Sequence, residues 1–299
     1  MAEKNNALAL AKQTQSGVLA QIQKFQSRGE LTLPQNYSVE NAMKSAWLMI
    51  QETIDRNKRP ALEVCTQNSF ANALLSMAVQ GLNPDKKQCY FIVYGTKLLC
   101  QRSYFGAAAV AKRVNGNVVD FQAQPIYEGD DVQTEIRNGK TYIIKHTSAF
   151  GNIDKKKIIG AYCVVEQENE DNYAVIMGMD EIKDAWRKSQ MNPLDDNGNI
   201  KPNSTHGQFT QEMAKKTVIN RAAKNIINMS DDGNLIAQIA KQNDVDIALA
   251  ESEQEIAENA NNGPVIDAEF MTVEDSPQLS EPDENGEVTE ATTEEEEGF

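Results

Sequence analysis

The stretch 81–117, GLNPDKKQCYFIVYGTKLLCQRSYFGAAAVAKRVNGN, leaves this chain fewer conformational choices than any other. Gly81 suits the left-handed position that closes a helix, and Pro84 cannot continue one. Short β-rich runs at about 90–94 and 98–101 follow, joined through Gly95-Thr96-Lys97, where glycine turns at low steric cost. The alanine-rich run 107–113 predicts a helix, stopped by Asn115-Gly116. From Pro84 to Arg113 six basic residues (Lys86, Lys87, Lys97, Arg102, Lys112, Arg113) stand against one acid, Asp85. Five aromatics are interleaved: Tyr90, Phe91, Tyr94, Tyr104 and Phe105. Cations alternating with aromatics on a hairpin-to-helix unit point to a polyanion track, most often nucleic acid.

The remaining chain builds around this unit. Residues 1–36 are polar and glutamine-rich, an arm or leader with scattered apolar positions. Ser38 is an N-cap for a helix running to about Arg56, with Ala42, Ala46, Met49, Ile50 and Ile54 on one face. Asn68 or Ser69 opens the next helix, which buries Phe70, Ala73, Leu74, Met77 and Ala78. Strands are expected at 118–123, 132–136, 142–145, 158–166 and 173–177, with a type I′ turn at Asn138-Gly139. Asp180 caps a helix over 181–189, and 190–208 reads as a long loop.

A net charge of −15 on 299 residues argues at face value against a nucleic-acid partner, but the charge is segregated. No lysine or arginine follows Lys241, whereas 19 acids lie from Asp244 onward. The first 243 residues hold all 29 bases and the other 25 of the 44 acids, a net of +4. A mildly basic body therefore carries an acidic tail, low in aromatics, which composition predicts to be unstructured. The division expected is an arm at 1–36, a core at 37–230 and the tail at 231–299.

The second strong feature is the helix at about 209–228, FTQEMAKKTVINRAAKNIIN. Phe209, Met213, Ile219, Ala223, Ile226 and Ile227 form its apolar face, while Thr217, Arg221 and Lys224 fall together on a polar one. Lys216 and Asn220 lie at the boundary, where a lysine can rest its stem on the core and extend its ammonium into a groove. A solvated face is the commoner use of any one lysine. Lys215, Lys216, Arg221 and Lys224 against the single acid Glu212 favour a binding surface. Trp186-Arg187-Lys188 adds a third basic segment. The candidate contacts are Lys97, Arg102, Tyr104, Lys112, Arg113, Trp186, Arg187, Lys188, Lys215, Lys216, Thr217, Asn220, Arg221 and Lys224. Phe91, Phe105 and Phe209 read as core, and His206 as a loop residue within reach of phosphate.

Other chemistry has little to draw on. Only His146 and His206 are present, and Cys65, Cys89, Cys100 and Cys163 form no CxxC pair, so reduced thiols are expected. No phosphate-cradling glycine loop occurs. The adjacent pairs Asp130-Asp131 and Asp195-Asp196 lack the converging geometry of a two-metal nuclease. No catalytic residue, metal or cofactor is expected. No apolar run spans a membrane and the N-terminus lacks an apolar signal core, so a cytoplasmic location is expected.

One ordered set of segments resembles a known family. It comprises Gly81-Leu82-Asn83-Pro84 leading to Phe91-Ile92-Val93-Tyr94-Gly95, then Tyr104-Phe105-Gly106 opening a helix to Lys112-Arg113 and Asn115-Gly116. Ile158-Ile159-Gly160-Ala161-Tyr162 and the block Glu212-Met213-Ala214-Lys215-Lys216-Thr217-Val218-Ile219 complete it. Over about 37–230 the chain resembles the RecT family of phage and prophage single-strand annealing proteins. The family often carries a proline where this chain has Ile92-Val93-Tyr94, and the loop 190–208 is longer than usual. The resemblance implies an α+β fold: a β-hairpin and small antiparallel sheet packed with helices, flanked by N-terminal helices and an acidic tail. It also implies a homo-oligomer, ring or helical filament, in a bacterial host cell. Such an oligomer anneals single-stranded DNA into duplex DNA without ATP, beside a phage exonuclease and the host single-strand binding protein machinery.

Alternatives remain open on the residues alone. These are a passive single-strand binder, a metal-dependent nuclease, or a structural oligomer whose basic surface binds its own tail. The tail has three readings: a solubilising segment, a mimic of DNA over the basic groove, or a partner-recruiting tip at Glu294 to Phe299.

Overall fold

The computed structural model describes residues 2–188, 193–231 and 233–260. Helix α1 (Ala2–Ser27) occupies the expected arm and buries Val18 and Ile22. Helix α2 (Val39–Glu52) starts where Ser38 Oγ accepts from the Asn41 amide at 3.3 Å, a cap that stabilises by about 1 kcal/mol. It stops short of Arg56 because Asp55 folds the chain back, accepting from the Arg59 amide at 2.8 Å while Ile54 bridges to Pro60. A single turn, α3 (Ala61–Val64), leads to α4 (Gln67–Val79), capped by Thr66 rather than by Asn68 or Ser69.

The hairpin follows as predicted, with strand β1 (Cys89–Tyr94) antiparallel to β2 (Lys97–Arg102) and Tyr94 opposite Lys97. Helix α5 (Tyr104–Val114) is capped by Ser103, whose Oγ accepts from the Gly106 amide at 3.2 Å. Gly106 faces the hairpin so closely that a Cβ there would lie 2.0 Å from the Gln88 carbonyl oxygen, a position no other residue fills without backbone movement.

Strands β3 (Val118–Tyr127), β4 (Asp131–Arg137), β5 (Lys140–Thr147), β6 (Ile158–Gln167) and β7 (Tyr173–Gly178) form one antiparallel sheet, ordered β3-β6-β7-β5-β4. The β4–β5 turn has Asn138 at φ 50° and Gly139 at φ 76°, the left-handed pair that a type I′ turn needs. On β6, Ala161, Cys163 and Val165 alternate inward and are fully buried. Helix α6 (Met179–Arg187) begins a residue before the expected Asp180 cap, with the Gly178 amide donating to Glu181 Oε2 at 3.2 Å.

Within the predicted long loop, 193–204 carries a bridge between Leu194 and Ile200 and leads to the single turn α7 (Thr205–Gln208). The expected helix end at Ser189 and loop positions 190–192 lie outside the described residues. Helix α8 (Thr210–Asn228) lies on β6, β3 and α5, burying Ala214, Val218, Ile219, Ala222, Ala223, Ile226 and Ile227.

Composition predicts an unstructured tail from 231. The structure instead carries helix α9 (Leu235–Ala260). Its acidic composition conceals an apolar stripe, Ile236, Ala237, Ala240, Ile247 and Ala250, which is buried against the core and the hairpin. Residues 261–299, with the Glu294–Phe299 tip, lie outside the described residues. All four cysteines are free, and burial pushes the Cys65 thiol up to about 11 and that of Cys163 to about 12. No helix among the described residues is long and apolar enough to cross a membrane.

Candidate nucleic-acid interface

Helical spacing puts Lys216, Asn220 and Lys224 in one row along α8, with Met213, Thr217 and Arg221 in the row beside it. Both rows line a cleft of about 390 Å³ whose opposite wall is Gln101 and Arg102 of β2 and whose end is Trp186 and His206. A second hollow of about 350 Å³ shares Gln101, Arg102, Asn220 and Lys224 and continues toward Asp244, Ile247 and Glu251 of α9. Lys216, Arg221 and Lys224 are exposed and make no ion pair among the described residues. Three unneutralised cations along an open cleft form a surface for a polyanion.

The other predicted contacts divide by the work their side chains already do. Trp186 is only 4% exposed, so it is core rather than a stacking platform. Its indole N–H donates to Thr217 Oγ1 at 2.8 Å, and that hydroxyl donates to the Met213 carbonyl at 2.8 Å, tying α6 to α8. His206 packs edge-on against Trp186 at 4.7 Å. Burial, and then the charge of Lys216, lower the pKa of its imidazole from the ordinary histidine value.

Arg102 carries a structural burden. With 7% of its side chain exposed, it donates to Gln80 Oε1 at 2.7 Å, to the Ala240 carbonyl at 3.1 Å and to Asp244 Oδ1 at 2.6 Å. Arg113 donates to the Gln80 carbonyl at 2.8 Å, so its cation closes the C-terminus of α4, where the helix dipole favours positive charge. Lys112 pairs with Asp120 at 2.7 Å, and that hydrogen bond leads the effects that lower the aspartate's pKa. Lys97 pairs with Glu253 at 3.5 Å, Arg187 with Asp184 at 2.6 Å and Lys215 with Glu212 at 3.1 Å. Lys188 is exposed at the end of α6, outside the cleft lining.

Tyr104 is half-buried, its ring 4.0 Å from that of Phe105. Burial first, then Glu212 and Tyr90, raise its pKa. Phe105 and Phe209, read from sequence as core, are 49% and 55% exposed. Phe105 sits in the first turn of α5 and Phe209 at the N-cap of α8, both beyond the edge of the packed stripe.

Two basic clusters escaped the sequence reading. Lys155, Lys156 and Lys157 are exposed on the β5–β6 connection, and Lys155 Nζ donates to the Gln208 carbonyl at 3.3 Å, which brings this run to the start of α8. The signal was three consecutive lysines, hidden at a strand boundary. Arg56 and Arg59 line a hollow of about 440 Å³ beside Lys97 at the hairpin tip, where Asp55 pairs with Arg59 at 2.7 Å and Glu253 with Lys97. A larger hollow, about 1070 Å³, has Lys140 as its one described cation against Glu170 and Asp231, the wrong balance for a polyanion. Among the described residues no three His, Cys, Asp or Glu side chains gather as a metal site.

The family model described as the RecT family matches residues 40–261, most of the chain and inclusive of α9. No curated protein matches it.

Proposed function

This chain belongs to the RecT family, which acts in recombination by single-strand annealing, and on that premise we propose that the α8 cleft is its strand-holding surface. The observation that carries the assignment is the set of exposed cations Lys216, Arg221 and Lys224, unpaired among the described residues, on adjacent rows of α8 beside an open cleft. A strand held by its phosphates keeps its bases free to test a second strand. Stacking and pairing then supply the driving force, about 1.4 kcal/mol per step, so no nucleotide hydrolysis is required. The cations lower the repulsion between two polyanions without reading sequence. Lys188 at the end of α6 and Lys155 and Lys156 near the start of α8 extend the basic surface, while Lys157 pairs with Glu128 at 3.6 Å.

Trp186, Thr217 and Arg113 position the walls of the cleft rather than touch the strand, and Arg102 does the same while Asp244 is paired with it. Annealing in this reading proceeds on an oligomer of the chain, with a resecting exonuclease as supplier of single strands. The test is the pairing rate of two complementary labelled oligonucleotides without ATP or divalent cation. Pairing well above the spontaneous rate is expected. Retarded mobility of one oligonucleotide with pairing at the spontaneous rate would make the protein a passive binder instead. Degradation of the label on adding Mg²⁺ would make it a nuclease.

A further inference from the structure

Helix α9 carries the start of the acidic segment across the hairpin that the sequence singles out as a basic track. Asp244 Oδ1 lies 2.6 Å from Arg102 Nη2, Glu253 Oε2 lies 3.5 Å from Lys97 Nζ, and Glu251 Oε1 accepts from Tyr94 Oη at 3.3 Å. Asn243 Nδ2 donates to the Cys100 carbonyl at 2.7 Å, covering an edge of the two-stranded sheet. The continuation of the cleft therefore has Asn220 and Lys224 on one wall and Asp244 and Glu251 on the other. A polyanion laid along α8 meets three cations and then two carboxylates.

The two halves of α9 are held differently. Ile236, Ala237, Ala240 and Asn243 are buried and anchor the first half. Beyond Asn243 the burial falls to Ile247 and Ala250, while Val245 and Leu249 face outward and the Lys97–Glu253 pair is more than half exposed. Contacts of that exposed, ionic kind are the ones that salt and a competing polyanion displace.

We propose that the second half of α9 is an acidic strap that competes with nucleic acid for the hairpin cations. With the strap seated, a strand is held by Lys216, Arg221 and Lys224. With it displaced, Lys97 and Arg102 join the contact and the cleft lengthens along β2. The inference rests on the α8 cleft being the strand-holding surface.

The test compares Asp244→Asn/Glu251→Gln/Glu253→Gln with a charge-matched control, Glu40→Gln/Glu52→Gln/Asp246→Asn, whose acids are exposed and touch no hairpin cation. The probe is a fluorescent single-stranded oligonucleotide titrated across a salt series. The strap variant should bind several-fold tighter than wild type and control at low salt. Its log K against log salt should also steepen by about 0.7 for each phosphate contact regained. Equal shifts in the two variants, or none in the strap variant, would overturn the proposal. Hydrogen exchange on the wild-type protein guards against a variant that misfolds. Adding oligonucleotide should speed exchange of amides 244–253 while α8 becomes protected, and unchanged or slower exchange at 244–253 would also overturn the strap. A wild-type protein that binds no single strand would remove the reading of the α8 cleft itself.

Discussion

Replacing Lys216, Arg221 and Lys224 together by alanine tests the interface with a magnitude that follows from geometry. All three are exposed and unpaired among the described residues, so the change deletes three positive charges from the cleft and little else. Each exposed side chain should alter folding stability by no more than about 0.5 kcal/mol. Removing Lys224 and Arg221, one turn apart, even relieves a like-charge pair. On a single strand each lost phosphate contact lowers the slope of log K against log salt by about 0.7, so three lower it by roughly 2. Between about 50 and about 200 mM salt, that difference shrinks the wild-type loss of affinity by roughly 20-fold. Fluorescence anisotropy with a labelled homopolymer oligonucleotide, repeated at five salt concentrations, reads this slope directly, and a thermal melt checks the fold. A variant that melts with the wild type, keeps its salt slope and anneals at the wild-type rate would refute the placement of the strand on α8.

Gly106→Ala should destabilise the protein by about 1–3 kcal/mol, because its Cβ would sit 2.0 Å from the Gln88 carbonyl oxygen; an unchanged melting midpoint would mean that the turn at Gln88 yields. Trp186→Phe removes the donor at 2.8 Å from Thr217 and should cost about 1 kcal/mol or more in denaturant unfolding. A double-mutant cycle with Thr217→Val should then show coupling between the two positions, and strict additivity would count against the tie. His206 is held below its usual pKa by burial and then by Lys216, so between the folded and unfolded values the unfolded chain binds the extra proton. Its contribution is intact above an unfolded pKa of about 6.5, and stability should fall as pH drops below that value; His206→Gln should remove that part of the pH dependence.

Much of the architecture was legible because it is encoded over short stretches. Asn138-Gly139 accepts two positive φ angles and so specifies the β4–β5 turn. Ser38 caps the helix that follows it, and four-residue spacing alone places Lys216, Asn220 and Lys224 in one row. The candidate site was legible in part. Arg102 and Arg113 read as free cations because nothing near them in sequence neutralises them. Their partners are Gln80, Ala240 and Asp244, up to 142 residues away. Helix α9 was missed because 19 acids from Asp244 onward outweigh a sparse apolar stripe, which gains a surface to pack on only once the hairpin and α4 are assembled.

Local sterics and helical period determined which elements exist and which residues share a face. Which cations remain free for a polyanion was decided by the tertiary structure alone. Ion pairing acts through space over a few ångströms, and the fold chooses which distant carboxylate comes that close.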